Sequence, residues 1–120
     1  MEPFKVRKYG KDGPEAKIQQ AIIDRLKAAD WYVKVMIGNA FQFGIPDLFV
    51  AHPHFGQRFI EVKNPTRFSF TPAQLIEFPK LKAAGVGIWI LFSAENDEIM
   101  KLMKPSNWVE VYLQWQLSQR

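Results

Sequence analysis

Residues 47 to 63 constrain this chain more than any other stretch, because two short apolar runs there flank a turn and carry acids at matching distances from it. Leu48-Phe49-Val50-Ala51 and Arg58-Phe59-Ile60-Glu61-Val62 are rich in β-branched and aromatic residues, and His52-Pro53-His54-Phe55-Gly56 between them holds the proline and glycine of a turn. The pattern predicts a β-hairpin. With the five-residue loop centred on His54, Ala51 pairs with Gln57, Phe49 with Phe59 and Asp47 with Glu61. Directly opposed residues on one sheet face have Cβ atoms roughly 4.5–5.5 Å apart, and two unit charges ~4 Å apart repel by about 4 kcal/mol at an effective dielectric of ~20. That is a large part of the roughly 5–15 kcal/mol that keeps a small domain folded. A cation, a proton or nearby donors must offset it. Strand alternation sets Lys63 on the face of Glu61 and turns Ile60 and Val62 to the other.

Asp47, Glu61 and Lys63 have a simpler reading, as an exposed cross-strand ion cluster worth roughly 0–1 kcal/mol per pair. The context argues against it. Phe49 and Phe59 share their face and Ile60 and Val62 line the reverse, so the strand is expected to be buried on both sides, where two acids and a lysine need a common ligand.

At 120 residues and 48% hydrophobic, the chain can build one core. A formal charge of +4 favours a polyanionic partner without requiring one. Cysteine is absent, which excludes disulfides and thiolate metal sites. No apolar stretch approaches the ~20 residues of a membrane span, and the charged amino terminus lacks a signal-peptide core, so a cytoplasmic protein with no membrane partner is expected.

Residues 1–13 read as a basic amino-terminal arm carrying Lys5, Arg7, Lys8 and Lys11, either solvated or laid on a nucleic-acid backbone. Residues 14–120 read as one domain. A helix is expected over 14–29 from the spacing of Ile18, Ile22, Leu26 and Ala29, with Glu15 in its first turn, where an acid either complements the helix dipole or reaches a site. Residues 31–37 read as a first strand and 38–44 as a loop containing Asn39, Phe41, Gln42 and Phe43. Beyond Lys63, Arg67 is placed to hold a phosphate bidentately. Thr71-Pro72-Ala73-Gln74 opens the next helix as a textual capping box, which alone would account for Gln74. Pro79 is expected to kink or divide that helix. Then come a strand within 86–92, a helix over 94–104 capped by Ser93, and an edge strand over 109–113. Trp108, Tyr112 and Trp115 belong either to the core or to a partner surface, and His52 and His54 are expected to be turn residues without a catalytic part. The order of elements indicates an α/β fold with a mixed sheet.

Gly44-Ile45-Pro46-Asp47-Leu48, Phe59-Ile60-Glu61-Val62-Lys63-Asn64-Pro65 and Thr71-Pro72-Ala73-Gln74 resemble, in that order, the VRR-Nuc (virus-type replication-repair nuclease) branch of the PD-(D/E)XK nucleases. Glu15 matches an acidic residue early in an upstream helix, and the resemblance runs over roughly 14–92. It implies a restriction-endonuclease-like core, a central mixed β-sheet flanked by helices, and a metal-dependent DNA endonuclease. Phosphodiester hydrolysis needs an activated water, neutralised oxygens and a stabilised leaving group; Mg²⁺ or Mn²⁺ serves these ends through oxygen ligands. Asp47, Glu61 and the Val62 carbonyl would hold the metal, with Glu15 holding a metal-bound water or a second ion. Lys63 would stabilise charge on the phosphoryl oxygens, orient the attacking water or help deprotonate it, and Gln74 would reach the same centre. The resemblance further implies a replication or repair setting. Stand-alone phage and bacterial members suggest branched DNA such as four-way (Holliday) junctions and a homodimer offering two sites. A binding-only module of the same fold and a restriction-type nuclease are the alternatives.

Overall fold

The computed structural model describes residues 13–37 and 44–119. The arm lysines and arginine at positions 5, 7, 8 and 11, and the loop residues 39 and 41–43, lie outside the described residues.

Helix α1 (Gly13–Ala28) buries Gln19, Ile22, Ile23 and Leu26 and carries Glu15 in its first turn. It ends where Asp30 adopts a left-handed backbone (φ 69°). The Trp31 N–H donates back to Leu26 O and the Asp30 N–H to Lys27 O, so the last carbonyls are satisfied and Trp31 turns into the core.

Four strands follow from the alternating runs: β1 (Tyr32–Val35), β2 (Leu48–His52), β3 (Gly56–Val62) and β4 (Ile88–Leu91). They form one mixed sheet in the order β1-β2-β3-β4, with β1–β2 and β2–β3 antiparallel and β3–β4 parallel. The chain crosses between the parallel strands through helix α2 (Pro72–Ala83). Strand β3 is therefore interior. The hairpin register is the predicted one, with Phe49 opposite Phe59 and Ala51 opposite Gln57. Pairing continues to His52 and Gly56, so the loop is residues 53–55 rather than five residues. Gly56 closes it with φ 85°, a conformation that suits glycine.

Helices cover both faces. Leu48, Val50, Ile60, Val62 and Leu91 pack under Ile22, Ile23 and Leu26 of α1 and Leu102. Ile88 and Ile90 pack on the opposite side with Phe70, Phe78, Trp108 and Val111, and Phe59 joins them. This is an α/β fold with a central mixed sheet flanked by helices, as the sequence pattern indicates.

Several expected elements are corrected. The edge strand over 109–113 is instead helix α4 (Trp108–Ser118). β-Branched and aromatic content suggested a strand, but Trp108, Val111, Tyr112 and Trp115 recur at helical spacing and meet Phe70 and the β4 face. Trp108 is thus core, and Tyr112 and Trp115 pack against it partly buried. Asn107 makes a further strand unnecessary by closing the β4 edge: its Oδ1 accepts from the Ile90 N–H at 2.6 Å and its Nδ2 donates to Ile90 O at 3.1 Å. The helix expected over 94–104 is only the short α3 (Asn96–Ile99) followed by a 3-10 turn, Met100–Met103. Glu98 draws this segment tight, its Oε1 accepting from the Phe92 N–H and its Oε2 pairing with Lys101. Helix α2 runs unbroken across Pro79, which lies on its exposed side, where water can meet the carbonyl left without a donor. The first strand is shorter than 31–37. No helix among the described residues is long and apolar enough to cross a membrane.

Candidate active site

Asp47 stands one residue before β2, and extending the hairpin register by one step sets it across from Glu61. Its carbonyl accepts from the Met36 N–H at 2.8 Å, its own N–H donates to Glu61 Oε1 at 3.2 Å, and its Oδ2 accepts from the Val62 N–H at 2.8 Å. Both backbone and side chain are thereby fixed. Gly44 holds the incoming segment against α2: at φ 82°, a Cβ there would lie 2.6 Å from the Ala73 carbonyl oxygen and 2.8 Å from Glu77 Cγ. Only glycine fits that approach without displacement.

The same register places Pro46 across from Val62. Proline has no N–H, so no ladder bond from that position can reach the Val62 carbonyl. The Val62 N–H goes to the Asp47 carboxylate instead. The Asp47 and Glu61 carboxylates are thereby tied to each other's strands by hydrogen bonds to main-chain N–H groups. Hard oxygen donors of this kind, few in number, suit Mg²⁺ or Mn²⁺, which keep several waters and need only one or two carboxylates. Among the described residues no group of three His, Cys, Asp or Glu side chains forms a cage for a metal ion.

Glu61 is fully buried and Lys63 is 4% exposed. The repulsion expected between the two acids is met by donors. Glu61 Oε2 accepts from Gln74 Nε2 at 2.8 Å and pairs with Lys63 Nζ at 3.2 Å, while Oε1 takes the Asp47 N–H. Lys63 Nζ also donates to Gln74 Oε1 at 3.0 Å and lies over the Phe70 ring, 4.8 Å from its centroid.

Gln74 both caps α2 and bonds to the acid and the lysine. Its N–H donates to Thr71 Oγ1 at 3.1 Å and its Oε1 accepts from the Thr71 N–H at 3.0 Å, completing the capping box. The same Oε1 accepts from Lys63 through its second lone pair, and the Nε2 reaches Glu61. The cap orients the amide that bridges acid and lysine.

The network opens on a cleft of about 460 Å³ lined by Glu15, Lys63, Arg67, Phe68, Ser69, Thr71 and Gln74. The first turn of α1 thus brings Glu15 to the same opening as Lys63. Arg67 is exposed at its rim. It is carried on a turn in which Asn64 Oδ1 accepts from the Thr66 N–H and hydroxyl and the Arg67 N–H donates to Asn64 O. His52 and His54 sit at the other end of the hairpin, where His52 lies against Trp31 and Phe55 at 5.2 and 4.6 Å between centroids.

Phe70 has no place in the motif reading, and the contact with Lys63 was not foreseen. Its one sequence signal is its position just before the Thr71 cap, a common site for a hydrophobic residue that steadies a helix start.

No protein-family model and no curated protein matches this sequence. Among solved structures, the chain is similar to one titled "VRR_NUC domain", with a TM-score of 0.60 and 24% sequence identity, covering 72% of this chain and 91% of that one. At that identity the likeness speaks for the fold. The mixed sheet, its flanking helices and this superposition agree that the chain has the fold of that VRR_NUC domain structure.

Proposed function

We propose that this protein is a divalent-metal-dependent nuclease that hydrolyses DNA phosphodiester bonds. One observation carries the reading: Asp47 and Glu61 meet across the β2–β3 pairing in a network with buried Lys63 and Gln74, and these two line a cleft that also bears Arg67. Folding alone has no use for such a group. Asp47, Glu61 and the Val62 carbonyl would hold Mg²⁺ or Mn²⁺, with Glu15 holding a further water or ion from the facing helix. Such an ion, when bound, would supply Lewis acidity and orient an attacking water.

The chain's own residues do the rest. Lys63 places a cation where charge grows on the phosphoryl oxygens. Gln74 keeps Lys63 and Glu61 in one orientation and presents an amide to water or phosphate. Arg67 at the rim takes a neighbouring phosphate, and the basic arm (Lys5, Arg7, Lys8, Lys11) adds attraction along the backbone. The positive charge favours a polyanionic substrate, and the motif resemblance suggests branched DNA in replication or repair. A homodimer follows, since paired cuts across a symmetric junction call for two sites.

The test is a panel of four-way junctions, flaps and linear duplexes incubated with Mg²⁺ or Mn²⁺, with sedimentation to read the assembly. Junctions are expected to be cut preferentially by a dimer. Equal cleavage of linear duplex removes the junction preference, and binding without cleavage of any substrate favours the non-catalytic module.

A further inference from the structure

Lys63 has two anionic or polar partners on one side, Glu61 Oε2 and Gln74 Oε1, and an aromatic face on the other. We infer that Phe70 is a positioning residue for Lys63: its ring face seats the ammonium and keeps it directed at the acids and the cleft. The inference rests on the nuclease reading for its functional consequence, and on geometry for the seat itself.

A nearly buried ammonium needs partners for its charge and for each of its N–H donors. Lys63 has three N–H donors and a long flexible stem, and it is 4% exposed. Glu61 and Gln74 take two of its directions. A ring face within about 6 Å offers a desolvated ammonium an attractive quadrupole where an aliphatic side chain would offer none. Phe70 meets that condition at 4.8 Å.

The ring is itself immobilised. Phe70 is 4% exposed and has edge contacts with Phe68, Phe78, Trp108, Tyr112 and Trp115 at centroid distances of 5.5–6.3 Å. Three of these rings belong to α4. The carboxyl-terminal helix, which supplies no motif residue, thereby buttresses the lysine of the site through one ring. Thr71, the next residue, is anchored by Gln74, so the backbone under the ring is fixed by the same amide that holds Lys63.

A competing account makes Phe70 a hydrophobic staple, packing against Leu75 and Phe78 to steady the start of α2. A leucine would serve that purpose. It would not present a π face, which is the difference an experiment can read.

The experiment compares wild type, Phe70→Leu and Phe70→Tyr by two measurements. In ¹H–¹³C spectra, the Lys63 ε-methylene signal, assigned by its loss in Lys63→Arg, is expected upfield of the other lysines through the ring current. It should return to the common position in Phe70→Leu and stay displaced in Phe70→Tyr. In Mg²⁺-dependent cleavage, Phe70→Leu is expected to lower kcat roughly tenfold with KM within about twofold, and Phe70→Tyr to restore it. An undisplaced Lys63 signal in the wild type overturns the seat, as does equal loss of kcat in the leucine and tyrosine variants or none in either. If Phe70→Leu does not fold, the wild-type and Phe70→Tyr spectra still decide. A wild type that cuts no DNA overturns the nuclease reading, while the ring-current result decides the seat independently.

Discussion

Ile60 and Val62 leave one face of β3, and Glu61 and Lys63 leave the other; all four are buried, yet opposite physics holds them. On the first face aliphatic groups pack under α1 through non-directional burial, which tolerates exchanges that conserve volume. On the second, a charged pair is held by directed bonds from Gln74 and the Asp47 backbone and by a ring beneath the lysine. Each member depends on the others. A buried ion pair contributes little net stability compared with apolar groups of its size, but losing one partner strands the other. The first face explains why the chain folds, and the second is what folding by itself would not require.

The contrast can be broken most forcefully at the charged pair. Lys63→Met alone should destabilise the protein by about 3–5 kcal/mol, because Glu61 stays buried without its cation. Adding Glu61→Leu should recover most of that loss while cleavage remains absent. Denaturant unfolding beside a cleavage assay checks both, and a double variant as unstable as the single would place the ion pair among the contacts that hold the fold. Ile60→Ala, on the apolar face, should behave in reverse. It should cost roughly 2–5 kcal/mol in unfolding free energy, with cleavage per folded molecule close to wild type.

The smallest effect sharpens the comparison inside one helix start. Thr71→Ala removes only the cap and should cost about 1 kcal/mol. Because Gln74 keeps its bonds to Glu61 and Lys63, the cleavage rate should change little. Gln74→Leu loses cap and bridge together and leaves Glu61 and Lys63 each short of a buried partner, so its thermal shift should exceed that of Thr71→Ala and its cleavage should fall much further. Equal activity in the two variants would assign Gln74 to the cap alone.

The hairpin was readable from sequence because alternation and a turn centred on His54 leave little freedom in its register, even though the loop is shorter than its turn residues suggest, and that register alone brings Asp47 to Glu61. Helix α1 was readable from its apolar spacing. The carboxyl-terminal region was not. Val109, Tyr112 and Trp115 have strand propensities, and the helix they form depends on tertiary contact with Phe70 and β4, which no local pattern shows. The tight turn after β4 is likewise set by Glu98 bonding to the Phe92 backbone. Within the site, the motif residues were named but their mutual bonding was not. Gln74 reads in sequence as a helix cap or as a site residue, and its contacts to Thr71 and to Lys63 coexist because one carbonyl oxygen has two lone pairs. Phe70 was hidden because an aromatic residue before a helix cap is ordinary, and only its closeness to Lys63 sets it apart.

The central claim is that Asp47 and Glu61 act together as oxygen ligands for a catalytic divalent ion. Cleavage rate measured against Mg²⁺ concentration, for wild type and Asp47→Ala on the best substrate of the panel, tests it most directly. Cleavage should be absent with chelator and rise to saturation with Mg²⁺. In the variant it should fall by on the order of 10³-fold at undiminished folding, as expected when several kcal/mol of charge stabilisation are removed. Cleavage that persists in chelator, or that survives Asp47→Ala unchanged, would contradict that claim.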